Sequence, residues 1–258
     1  MKRRLAITAI VLLFSFFPHS QFAQQVQKST DVQSKSSGEI PTVDQIISKY
    51  VQALGGAAAY QKLTSRVVKG TFVITDTQDL SGAFEAYEKA PNKSLVVLNF
   101  PDIGIVREGY DGVIGWSQEP QEEVRVMTGA ELASAKVDSD FYKDIRLREL
   151  FPKLTFKGTE KVGDKLTHKL EGVSKDGYSE TMYFAVESGL LVRTDSVEES
   201  TAGKTVLEIY YEDYREVDGI KIPFTARHRS PELNIIFKIS EVKHNGLIED
   251  AKFEKPKS

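Results

Sequence analysis

The chain has 258 residues, 40 % of them hydrophobic, with 34 Lys and Arg against 37 Asp and Glu, for a formal charge of −3. No cysteine is present, which excludes disulfides, thiolate metal ligands, a cysteine nucleophile and the lipidated cysteine of a bacterial lipoprotein. A mildly acidic balance offers no basic face for nucleic acid.

In chain order, the first predicted element is an export signal: "MKRR" is a basic n-region, followed by an apolar run from Leu5 to Phe17 that is short for a bilayer span. Cleavage is expected after Ala23, with Ser20 as a second candidate and retention as an uncleaved anchor as the alternative. Removing residues 1–23 takes three of the 34 basic residues, leaving 31 against 37 acidic ones and a formal charge of −6. Residues 24–40, largely "QQVQKSTDVQSKSSGE", have almost nothing to bury and read as a flexible linker. Residues 41–258 fit the size of one domain.

That domain opens on a helix. Thr42 and Gln45 have the spacing of a capping box, and Val43, Ile46, Ile47, Tyr50, Val51 and Leu54 form one apolar stripe. Gly55 and Gly56 end it, as a stop or as a hinge. After a short "AAAYQKL" turn the period falls from 3.6 to 2: Val68, Phe72 and Ile74 alternate with Lys69, Thr71 and Thr75. Similar alternation recurs at Met182 and Phe184, at Leu207, Ile209 and Tyr211, and at Leu233, Ile235, Phe237 and Ile239. The turns "PNK", "YDG", "VGD", "KDG", "ESG" and "VDG" punctuate about ten or eleven strands. Between about Gly129 and Phe151 a weaker stripe of Leu132, Phe141, Ile145 and Leu150 predicts a helical insertion that Pro152 ends. The expected fold is α+β and mainly antiparallel: a curled, half-open β-barrel with the N-terminal amphipathic helix and the insertion near 129–151 covering its concave face.

The strand "SLVVLNF" is apolar on both faces, with Val96, Leu98 and Phe100 pointing one way and Leu95 and Val97 the other. The sequence offers two accounts of the second face: a neighbouring loop or exposed convex patch, or burial between layers.

Catalytic chemistry finds little support. His168, His228 and His244 have no metal-binding spacing, and no nucleophile elbow or phosphate loop occurs. In "DSDFYKDIRLRE", Asp138, Asp140 and Glu149 stand at calcium-loop positions, but Tyr142 and Lys143 stand where Asp or Asn and Gly are required, so a helix start capped by Asp138 or Ser139 is expected. Glu85 and Glu88 read as solvated strand carboxylates. No enzyme activity, cofactor or metal is expected.

Three segments carry a family resemblance: "EKAPNKSLVVL", "YDGVIGW" and "DAKFEKP", in this order from Glu88 to Pro256, within a likeness spanning roughly Val43 to Lys255. They resemble the corner, the Asp-Gly hairpin with its Trp strand, and the Ala-x-x-Phe tail of the LolA/LolB-like outer-membrane lipoprotein-sorting proteins, which are periplasmic lipid and lipoprotein carriers. The segment "YYEDYREVDGIKIPF" is similar to exported proteins of the same group. The resemblance implies an apolar cavity inside the open barrel, and three groups of strand residues are the expected lining. The early strands contribute Phe72, Ile74, Val96, Leu98 and Phe100. Trp116, Met182, Phe184, Leu207 and Ile209 follow, although the residues around Trp116 favour a place in a hairpin core. Tyr211, Phe224, Ile235, Phe237 and Ile239 complete the set. The sorting carriers have arginine before the Pro-Asn corner, where this chain has Ala90, so a cation is missing there. The implied role is a non-enzymatic periplasmic carrier or chaperone for lipid or an acylated protein, with partners at the envelope membranes. An interaction or sensor module with a filled core is the alternative.

Overall fold

The computed structural model describes residues 40–75, 80–200, 203–231 and 233–257. The expected signal and all of the linker except Ile40 lie outside the described residues.

Helix α1 spans Val43–Ala53, and its cap is the predicted reciprocal box. The Gln45 backbone N–H donates to Thr42 Oγ1 at 3.2 Å while the Thr42 N–H donates to Gln45 Oε1 at 2.7 Å. Its stripe buries Ile46, Ile47 and Tyr50, and Leu54 at the C-cap is buried too. Gly55 and Gly56, both at positive φ, turn the chain into α2, Ala57–Tyr60. This turn is pinned rather than free. A Cβ at Gly55 would come within 2.1 Å of the Gly219 carbonyl oxygen, and the Lys221 N–H donates to the Leu54 carbonyl at 2.8 Å. The pair therefore acts as a stop held against the sheet, not as a hinge.

Thirteen strands among the described residues, two or three more than the alternation predicts, form one antiparallel sheet. The outgoing meander is β1 Ser65–Ile74, β2 Leu80–Lys89, β3 Lys93–Phe100, β4 Gly104–Tyr110, β5 Gly115–Gln118 and the two-residue β6 Arg125–Val126. The second meander is β7 Lys153–Val162, β8 Lys165–Val173, β9 Ser179–Ala185, β10 Leu191–Ser200, β11 Gly203–Val217, β12 Ile220–Arg229 and β13 Asn234–His244. Their spatial order runs from β6 back to β1, then β13 down to β7, so the first and last strands pair at the centre while β6 and β7 are the open edges. The Asp-Gly turns work as predicted: Asp111 Oδ1 accepts from the N–H groups of Val113 and Ile114 at 2.8 and 2.7 Å, and Asp218 and Gly219, at φ 50° and 82°, join β11 to β12.

The two edges are joined through the insertion, which contains α3 Gly129–Asp138, a 3-10 turn at Lys143–Ile145 and α4 Leu147–Leu150. Asp138 ends α3 and Ser139 is its C-cap, so the expected helix start at these residues is corrected: the segment terminates a helix and leads into the 3-10 turn. Ala133, Val137, Phe141, Leu147 and Phe151 join Ile46, Tyr50 and Leu54 in one core that covers the β7–β9 and β12 part of the concave face. Arg125 on edge strand β6 holds the insertion by a two-pronged pair with the buried Glu131.

The second face of β3 has a specific cover. Leu95, with Val97 packed beside it, lies on the convex side in a cluster with Trp116, Ile248 and Phe253, and Trp116 Nε1 donates to the Phe253 carbonyl at 2.9 Å. Gly109 makes room for the indole, since a Cβ there would lie 2.5 Å from its ring atoms. The C-terminal "DAKF" segment is thus a strap across the outside of β3 to β5.

Candidate functional site

Strand parity places Arg66, Val68 and Phe72 of β1 on the concave face, beside Phe84, Ala86 and Glu88 of β2 and Val96, Leu98 and Phe100 of β3. At one end of that face the large apolar side chains close on one another. Phe72 meets Phe100 edge-on at 4.7 Å between ring centroids, Phe84 meets Phe237 at 5.3 Å, and Leu98, Leu207, Leu233 and Ile235 fill the gaps. At the other end α1, α2 and the insertion lie over the sheet. Between the aromatic plug and the helices remains a cavity of about 390 Å³, within the roughly 300–1,000 Å³ of small-ligand sites.

The cavity has two kinds of wall. Val68, Phe84, Ala86, Val96, Met182, Leu191, Phe237 and Ile239 make the apolar one. The other is polar and comes from both helices and strands: Tyr50 and Tyr60 each donate their hydroxyl to Asp144, at 2.6 Å to Oδ1 and 2.9 Å to Oδ2. Lys143 Nζ donates to Glu180 Oε2 at 3.0 Å and to Asp138 Oδ1 at 2.8 Å. Burial opposes the charge on Lys143, but Asp138 and Glu180 outweigh it and hold the ammonium well above its ordinary pKa. Glu180 is raised, chiefly by burial, against the pull of Lys143. Arg66 pairs with Glu88 at 3.0 Å and donates from Nε to His244 Nε2 at 3.3 Å. Burial disfavours its charge, while Glu88, Tyr60 and Asp144 more than compensate. His228 is buried in the wall at 4.9 Å from the Phe237 ring, and burial alone drops its pKa to about 4, so it is neutral at pH 7.

The structure divides the fifteen expected lining residues. Val96, Met182, Tyr211, Phe237 and Ile239 line the cavity. Phe72, Ile74, Leu98, Phe100, Leu207, Ile209 and Ile235 share the face but pack into the plug, because neighbouring aromatics already occupy the space before them. Phe184 and Phe224 lie in the core under the helices, Phe184 edge-on to Tyr50 at 5.0 Å. Trp116 is on the convex side, outside the cavity altogether.

Several lining residues escaped the sequence reading. Glu88, read as solvated, turns inward to Arg66. The Ala90 position adds no cation, yet the cavity has Arg66 from the neighbouring strand and Lys143 from the insertion. A usable signal existed: Arg66, Glu88 and Glu180 each occupy the parity of the dry face, beside Val68, Ala86 and Met182. Tyr214 had none, because Asp213 at φ 55° interrupts the alternation and lets Tyr211 and Tyr214, three apart, both reach the cavity. Among the described residues no group of three or more His, Cys, Asp or Glu could hold a metal ion, and no helix is long and apolar enough to cross a membrane.

No protein-family model and no curated protein matches the chain in sequence. Solved structures do match in three dimensions. A DUF1329 family protein from Desulfovibrio piger superposes with a TM-score of 0.57 at 18 % identity, over 82 % of this chain and 97 % of that one. A LolA superfamily protein from Nitrosomonas europaea gives 0.56 at 14 % identity, over 84 % and 99 %. A domain from Vibrio parahaemolyticus provisionally assigned to outer-membrane lipoprotein sorting gives 0.53 at 11 %, over 81 % and 97 %. At such identities the likeness speaks to fold: the chain has the unclosed, curled antiparallel sheet of LolA-like proteins.

Proposed function

We propose that the protein is a periplasmic, non-enzymatic carrier or chaperone that shelters lipid or lipoprotein acyl chains in the cavity between the aromatic plug and the helices. The observation that carries this reading is the cavity itself: about 390 Å³ on the concave face, walled on one side by aliphatic and aromatic side chains. Each methylene moved from water into such a wall contributes about 0.8 kcal/mol. The polar wall gives a head group somewhere to sit and limits how far a chain can enter. The expected export signal and the absence of cysteine are consistent with a chain that travels without a lipid on its own cysteine.

Native mass spectrometry of the protein, purified gently as its host processes it, tests this. An adduct of lipid mass that disappears in denaturant is expected, and its fragments name the cargo. Absence of any adduct, together with no uptake of a fluorescent fatty acid, would replace the carrier with an envelope interaction module.

A further inference from the structure

The polar wall constrains the chemistry of the cargo head, on the premise that the cavity binds a chain at all. Its formal charges balance: Arg66, Lys143 and Lys221 face Glu88, Asp144 and Glu180, three against three. His228 adds none near neutrality. Nearly all of the hydrogen-bond donors around the cavity are also committed. Tyr50 and Tyr60 donate to Asp144, Tyr214 donates to the Leu191 carbonyl at 2.8 Å, Tyr211 shares a contact with Thr194 at 3.2 Å, and Lys143 bridges Asp138 and Glu180. Lys221 is exposed to solvent, and among the buried donors the exception is Arg66. Nη1 meets Glu88 and Nε meets His244, but Nη2 is buried without a hydrogen bond. A buried donor left unpaired costs roughly 1–3 kcal/mol, so this N–H favours any ligand that brings an acceptor.

An anionic head would satisfy the donor but add an uncompensated charge beside three carboxylates that three cations already balance. A neutral carbonyl satisfies it without that penalty. Size narrows the choice further: at roughly 30 Å³ for each water-sized group, the cavity holds on the order of a dozen heavy atoms, one chain rather than two. We propose that the cargo is a single acyl chain ending in a neutral ester or amide carbonyl, and that Arg66 Nη2 donates to that oxygen.

The test is competition at pH 7 against the uncharged apolar dye N-phenylnaphthylamine, using monododecanoylglycerol, an uncharged N-dodecanoyl peptide amide, dodecanoate and dodecyl phosphate. The neutral carbonyl probes are expected to displace the dye at about tenfold lower concentration than either anion. Tighter ester binding assigns the head to a free lipid, and tighter amide binding to an acylated peptide. The variant Arg66→Met/Glu88→Gln removes the donor together with its charge partner, so no carboxylate is stranded, and Arg66→Lys is a milder companion. In both, affinity for the neutral probes is expected to fall about tenfold while the dye still binds. Stronger displacement by an anion, or unchanged neutral-probe affinity in a variant that retains the dye, overturns the assignment and leaves the carrier reading standing. Failure of the wild-type protein to take up the dye or any probe overturns both.

Discussion

The two ends of the concave face are built from the same alternating strands and solve opposite problems. At one end Phe72, Phe84, Phe100 and Phe237 meet across β1, β2, β3 and β13 and leave no space. At the other the sheet is covered by α1, α2 and the insertion, whose Tyr50, Tyr60, Lys143 and Asp144 bring polar groups that a solid apolar core would not tolerate. The plug derives its stability from close packing. The polar wall of the cavity derives its order from charged hydrogen bonds, of which the Arg66 Nη2 donor alone among the buried side chains named above is left open. The difference teaches that strand pattern alone sets which side chains face inward, while the elements laid across the sheet decide whether that interior is filled.

Four perturbations separate the ends, beginning with the strongest. Phe72→Ala opens a hole in the plug and is expected to cost about 3–5 kcal/mol in urea unfolding, with dye binding in the cavity kept in the molecules that remain folded. Equal losses of dye affinity would show that the plug and cavity are one unit.

Lys143→Met strands Glu180, whose side chain is only 5 % exposed, and is expected to cost about 3 kcal/mol at pH 8. Burial already raises the Glu180 pKa, and without the ammonium it rises further. The carboxyl then takes a proton as the pH falls, so the gap between variant and wild type should narrow by pH 5. A gap that is the same at both pH values would mean the pair carries no net electrostatic weight.

His228→Leu addresses the wall between the two ends. Burial depresses the folded-state pKa of His228 to about 4 from its ordinary 6.5, so its neutral form is favoured by folding. That contribution is complete above pH 6.5 and is lost as the pH falls from there to about 4, where the unfolded chain binds the proton and the folded one does not. Wild type should therefore lose on the order of 2 kcal/mol more than His228→Leu between pH 7 and pH 5. Parallel stability curves for the two proteins would refute the assignment.

The smallest effect belongs outside both ends. Asp44, 73 % exposed, meets Arg148 at 2.7 Å across the junction of α1 and the insertion. Asp44→Asn should change stability by no more than about 0.5 kcal/mol, and less in salt. A larger change would place the helix cover under electrostatic control.

Particular residues show how far the sequence could be read. The Thr42–Gln45 box, the α1 stripe and the Asp-Gly turns are local devices whose partners lie within a few positions, and each is in place. The inward parity of Phe72, Val96, Leu98 and Phe237 is equally local. Trp116 could not be placed, because its partner Phe253 is 137 residues away and lies on the opposite side of the sheet from the cavity. Lys143 and Asp144 sat in a segment read as a helix start. Only the path of the insertion between the sheet edges turns them toward Glu180, Tyr50 and Tyr60.

By itself the sequence determined an antiparallel, helix-capped sheet and the facing of those apolar strand residues that keep a regular alternation, because hydrogen-bond period and side-chain alternation are properties of neighbouring residues. Only the tertiary structure decided which of those residues form the plug, which form the cavity and which charges meet there. Packing volume and ion pairing depend on groups brought together from β1, β9 and the insertion, and no spacing along the chain encodes that encounter.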